Sequence, residues 1–111
     1  MRLTANIKLE ESEVKRLMIY DSENGVYLFE YDTEHDSSAL CDYWFENIDD
    51  AFESCSEDYG ITKQDWSEIP NPQEHCQHDW IEPVRIKGRD KGNPQWGKLE
   101  KLINGKWIDF Q

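Results

Sequence analysis

An α+β fold is predicted: an antiparallel sheet of about five or six strands, built mainly from hairpins, with one amphipathic helix packed on one face. Three observations predict it. Short apolar runs flank an Asn-Gly step at Asn24-Gly25, others flank a second step at Asn104-Gly105, and the stretch from Asn47 to Gly60 alone switches to a helical period. Tight hairpin turns need the positive φ that Asn and Gly tolerate, so both steps read as turns.

Along the chain, Leu3, Ile7 and Leu9 fit a weak strand and Glu10 to Val14 fit a turn or frayed helix, so residues 1–14 read as a loosely attached strand or arm. Lys15 to Tyr20 and the β-branched and aromatic run Val26 to Tyr31 form the first hairpin. Asp32 to Ser38 is polar and turn-like. Ala39 to Glu46 then reads as a third strand, with Cys41, Tyr43 and Phe45 on one face and Trp44 on the other.

The helix is predicted over about 48–59, where Ile48, Ala51, Phe52, Cys55 and Tyr59 fall on one continuous stripe. Asn47 is placed to cap its first turn, Asp49 and Asp50 sit where the helix dipole favours anions, and Gly60 can take the left-handed exit conformation. The opposite face carries Asp49, Asp50, Glu53, Glu57 and Asp58.

Ile61 to Pro70 reads as a turn or short strand holding Trp66 and Ile69, and Asn71-Pro72 opens a polar loop to Asp79. Trp80 to Lys87 alternates as a strand. Pro83 confines it to a sheet edge, because proline has no N–H to donate. After the loop Gly88 to Gly97, Lys98 to Ile103 and Lys106 to Phe110 form a second hairpin whose turn sets Leu99 opposite Phe110 and Leu102 opposite Trp107. That register also sets Glu100 against Asp109, a like-charge pair.

At 111 residues and 13.2 kDa the chain is expected to form a single compact acidic domain, with five Trp, five Tyr and four Phe supplying much of the burial. Such aromatic content is foreign to disordered chains. No apolar stretch approaches bilayer length, and Met1 to Glu10 lacks the apolar core of a secretory leader, so a cytoplasmic location is expected. Cys41, Cys55 and Cys76 leave one thiol over in any disulfide scheme, and reduced thiols are expected.

Charge narrows the function classes most. The net charge is −12, and it is unevenly spread: residues 1–20 sum to +1, residues 21–79 to −16 with Lys63 their one basic side chain, and residues 80–111 to +3. Such a field disfavours DNA, RNA and anionic lipid surfaces, whose binding depends on neutralising phosphates with Lys and Arg. It favours basic proteins, although an acidic surface also serves solubility alone.

Several local patterns resemble chemical sites and fail on inspection. Asp32-Thr33-Glu34-His35-Asp36 starts like a calcium loop, but Ser37 stands where glycine is needed and Tyr43 where the bidentate Glu belongs. Gly92 to Lys98 spells most of a phosphate-binding loop, yet Leu99 replaces the magnesium-holding hydroxyl and no helix follows. Glu74 to Asp79 is the densest ligand cluster, and His75, Cys76, His78 and Asp79 form the alternative reading of a metal or small-molecule site. A structural zinc usually draws on two separated ligand pairs, and here there is one. A Cys-His nucleophilic pair in the same loop lacks an orienting partner. The tryptophans could build a sugar platform, but core packing is the stronger expectation.

The sequence therefore points to a non-enzymatic interaction domain without a cofactor, presenting Asp49, Asp50, Glu53, Glu57 and Asp58, with Asp32, Glu34 and Asp36 as a second cluster, to a basic protein partner. Small intracellular inhibitors and immunity-type proteins work by such steering; the parallel is one of charge and size, with no shared motif. A wholly structural alternative would spend the same acids internally on Arg85, Lys87, Arg89 and Lys91.

Overall fold

The computed structural model describes residues 1–110, which form eight strands, one α-helix and two short 3₁₀ turns. They group into two compact units, one of Met1–Asn71 and one that begins at Pro72. The fold is α+β, with the strands divided between a sheet of five and a sheet of three. The boundary falls at Asn71, bracketed by Pro70 and Pro72, neither of which has an N–H to donate to a ladder.

In the first unit, β1 (Arg2–Asn6), β2 (Arg16–Ser22), β3 (Gly25–Tyr31), β4 (Cys41–Phe45) and β5 (Ser67–Ile69) form an antiparallel sheet in the order β4-β3-β2-β1-β5. The weak N-terminal pattern is a strand, paired on both sides. The turn or short strand expected after the helix is β5, at the sheet edge. Strand alternation puts Leu3 and Ala5, Leu17 and Ile19, Val26 and Leu28, and Phe45 on one face.

Helix α1 (Ile48–Tyr59) covers that face with the stripe expected from its periodicity. Ala51 and Cys55 are fully buried, and Ile48, Phe52 and Tyr59 pack around them. Complete burial of a Leu, Ile or Val side chain stabilises by about 1.5–3 kcal/mol, so Leu17, Ile19, Val26 and Leu28 hold the helix to the sheet. Asn47 caps the first turn, its Oδ1 accepting the Asp50 N–H at 3.0 Å. Gly60 ends the helix with φ of 68°, its N–H reaching Ser56 O at 3.0 Å.

The other face is aromatic and basic. Met18 and Tyr31 are buried there, the Tyr31 hydroxyl lies 3.7 Å from Met18 Sδ, and the Arg16 guanidinium sits 3.9 Å above the Tyr31 ring. Nε and Nη2 of Arg16 are buried without a hydrogen-bond partner, so the ring face is the attraction that offsets some of their desolvation.

The first hairpin turns on Glu23 and Asn24, with Ser22 opposite Gly25. The positive φ falls on Gly25, at 114°, rather than on Asn24. Trp44 adds a second demand for glycine there: its indole lies so close that a Cβ on Gly25 would overlap the ring, and its N–H donates to Asn24 O at 3.0 Å.

In the second unit, β6 (Val84–Ile86), β7 (Leu99–Ile103) and β8 (Lys106–Phe110) pair in that order. The strand expected from Trp80 begins only after Pro83 and lies at an edge, where a missing N–H does no harm. The β7–β8 register is the one read from the sequence, including Leu99 opposite Phe110 and Glu100 opposite Asp109. Asn104 and Gly105 both take positive φ, as a two-residue hairpin turn requires. No helix among the described residues is long and apolar enough to cross a membrane.

Candidate interaction surface

The two units differ sharply in charge. Residues 1–71 hold 18 acidic and five basic side chains, a net of −13, whereas residues 72–111 hold six acidic and seven basic, a net of +1.

Asp49, Asp50, Glu53, Glu57 and Asp58 are all exposed, and among the described residues none of them forms an ion pair. Four of them occupy the arc of α1 farthest from the sheet. Asp58 lies to the side, close enough to β4 that its charge helps to raise the titration of the Tyr43 hydroxyl. Asp32 and Glu34 are exposed in the loop after β3, and Asp36 is half-buried.

One contact ties the two clusters together. Glu30, the residue before the end of β3, is buried on the helix face, and its Oε2 accepts the Tyr59 hydroxyl at 2.6 Å. Asp32 follows two residues later, so the acidic loop leaves the sheet beside the C-terminal end of α1. The first-turn acids lie some eight residues up the helix, roughly 12 Å away along its axis.

Glu30 was not singled out by charge reasoning, although alternation from Val26 and Leu28 places it on the apolar face. Its Oε1 accepts the Cys41 thiol at 3.0 Å, and this bond is the first cause holding the thiol protonated above its ordinary range. Such a thiol is a poor nucleophile at neutral pH. The Tyr59 hydroxyl also titrates above its ordinary range, through burial first and then its bond to Glu30. Tyr59→Phe, which leaves the buried carboxylate with the weaker thiol donor, is expected to destabilise the chain by about 1.5–3 kcal/mol, read as a lowered urea midpoint. An unchanged midpoint would show that water replaces the phenol at no cost.

Three of the four cations offered by the structural alternative, Arg85, Lys87 and Arg89, are engaged elsewhere. Arg85 Nε meets Glu100 Oε1 at 2.8 Å, its Nη1 meets Asp90 Oδ2 at 3.5 Å, and its guanidinium stacks 3.8 Å above Trp107. Lys87 Nζ meets Asp109 Oδ2 at 2.7 Å, and Arg89 Nη1 donates to Gln77 Oε1 at 2.7 Å. All these partners lie within the second unit.

His75, Cys76, His78 and Asp79 fall in the loop before β6. Cys76 is buried, its N–H bonded to Gln73 O at 3.0 Å, while His75 is exposed, with φ of 66° and Glu74 Oε1 at 3.4 Å from its Nε2. Among the described residues no three His, Cys, Asp or Glu side chains converge as a metal site would need. All three cysteines are free thiols.

The tryptophans divide. Trp66 packs on Phe52 with ring centres 5.9 Å apart and Trp80 on Phe110 at 5.6 Å, as core residues do. Trp44 and Trp96 are 53% and 73% exposed. On β4, Trp44 is joined by Tyr43 at 50%, so this edge strand shows an aromatic ring on each face. The sequence signal was present, since Tyr43 and Trp44 alternate in a strand bounded by polar loops. No family model, curated protein or solved structure matches the chain.

Proposed function

We propose that the chain is a non-enzymatic interaction protein whose first 71 residues present an acidic surface to a basic protein. The observation that supports this reading most is the separation of charge. The helix acids are exposed and, among the described residues, in no ion pair, while Arg85 and Lys87 are held by Asp90, Glu100 and Asp109 of their own unit. A field of one sign, left unneutralised by the chain itself, steers oppositely charged partners and rejects nucleic acid and anionic membranes. In its sharper form the reading is an intracellular inhibitor of the immunity type, in which steering sets the association rate and aromatic anchors slow dissociation.

Affinity capture with the full chain tests it. A basic protein is expected to be retained at about 0.1 M salt and released near 1 M, where screening shortens to a few ångströms. The variant with Glu53 and Glu57 changed to Lys, with Asp49 and Asp50 kept for the first turn of the helix, is expected to weaken that capture strongly while remaining folded, because both glutamates are exposed. Capture that ignores both salt and charge reversal would overturn the proposal.

A further inference from the structure

Strand β4 closes one side of the five-stranded sheet and pairs only with β3, so its outward backbone N–H and C=O groups face away from the ladder. Cys41, Asp42, Tyr43 and Trp44 are all exposed along it. Its rings stand on opposite faces. Trp44 is held in place by its N–H bond to Asn24 O and by the close seat over Gly25, so it offers an ordered surface. Residues 32–50, which contain β4 and run directly into and out of it, hold seven acidic side chains and no Lys or Arg. On the helix face the charges of Glu30 and Asp58 reach Tyr43; on the other, Asp42 is Trp44's neighbour two positions away.

From this we infer that the basic partner is taken up by strand addition. An extended, Lys- or Arg-rich segment of that protein pairs with the free edge of β4, its alternate side chains lying against Tyr43 and Trp44 and its cations meeting the acids that flank the strand. The inference rests on the acidic-surface reading above and adds to it the mode and place of docking. Main-chain hydrogen bonds at an open edge supply affinity in such complexes, and side-chain pockets on alternate faces supply specificity. A second copy of this chain is a poor occupant, because antiparallel pairing of β4 with itself would bring the same seven acids together. The acids thus guard the edge against self-association while leaving it open to a basic strand.

The probe is a synthetic alternating Lys-Val peptide of about eight residues, somewhat longer than a typical strand, compared with the same peptide N-methylated at every backbone nitrogen, because alternate N–H groups of a strand face opposite edges and either edge alone could pair. Both carry the same side-chain charge, but the methylated form has no backbone N–H to offer on either edge. With the full chain, the plain peptide is expected to slow amide exchange across Cys41–Phe45 and to shift Trp44 emission. The methylated form is expected to bind about tenfold or more weakly and to give no protection. Equal binding of the two, or protection elsewhere, would overturn strand addition while leaving the acidic-surface reading intact. Failure of both peptides to bind at low salt would remove that reading as well. Sedimentation showing a dimer whose β4 amides lose their protection on dilution would instead assign the edge to a second copy and end the proposal.

Discussion

Raising the pH from 9 to about 12 is expected to strip roughly 3 kcal/mol of stability through the Cys55 thiol alone, and Cys55→Ala is expected to remove that share of the alkaline loss. The Cys55 thiol is fully buried on the helix stripe, and burial first, then the charges of Asp58 and Glu30, push its titration up from 9.0 to about 12. The sign follows from proton counting. Below pH 9 both states keep the proton, and the contribution is fully present. Between 9 and about 12 the unfolded thiol ionises while the folded one does not, so the unfolded state gains by about 1.4 kcal/mol per pH unit until the folded thiol titrates too. Urea midpoints at stepped pH would show it. A wild-type profile parallel to that of Cys55→Ala would mean that the thiol ionises in place. Cys41 and Tyr59 titrate high as well, so some alkaline loss is expected to remain in the variant.

Gly25→Val is the second large effect, with an expected loss of about 2–5 kcal/mol. The backbone at φ of 114° is closed to a β-branched residue, and the added Cβ would overlap the indole of Trp44. Relieving the overlap requires Trp44 to leave Asn24 O, so the variant is expected to combine a lowered urea midpoint with altered Trp44 emission. Gly25→Val combined with Trp44→Ala is expected to recover the steric part and leave the backbone part. A double variant as unstable as the single one would place the whole cost in the turn.

The elements legible in the sequence were those carried by a strong local period. The α1 stripe from Ile48 to Tyr59 could be written down complete, with its Asn47 cap and Gly60 exit, because each determinant lies within one turn of the next. The β7–β8 register was equally legible, since Asn104-Gly105 leaves a two-residue loop only one way to close. What escaped were pairings set by distant partners. The strand β5 is three residues long and exists because β1 offers it an edge, which no periodicity of Ser67–Ile69 encodes. The division into two sheets is of the same kind. For the candidate surface, the exposed acids of α1 followed from the wheel, whereas Glu30 and Trp44 acquire their meaning from Tyr59 and Gly25, which lie 29 and 19 positions away in sequence.

The like-charged pair across the last hairpin also bears on how that hairpin comes together. Glu100 and Asp109 face one another, and each is matched by a cation from β6 or its continuation, Arg85 to Glu100 and Lys87 to Asp109. Residues 98–110 excised as a peptide would keep the repulsion and lose its remedy, so the isolated ribbon would fray at neutral pH and tighten in acid. Within the intact chain the same arrangement makes three strands interdependent: none reaches its lowest energy until the other two are present, a small built-in source of cooperativity.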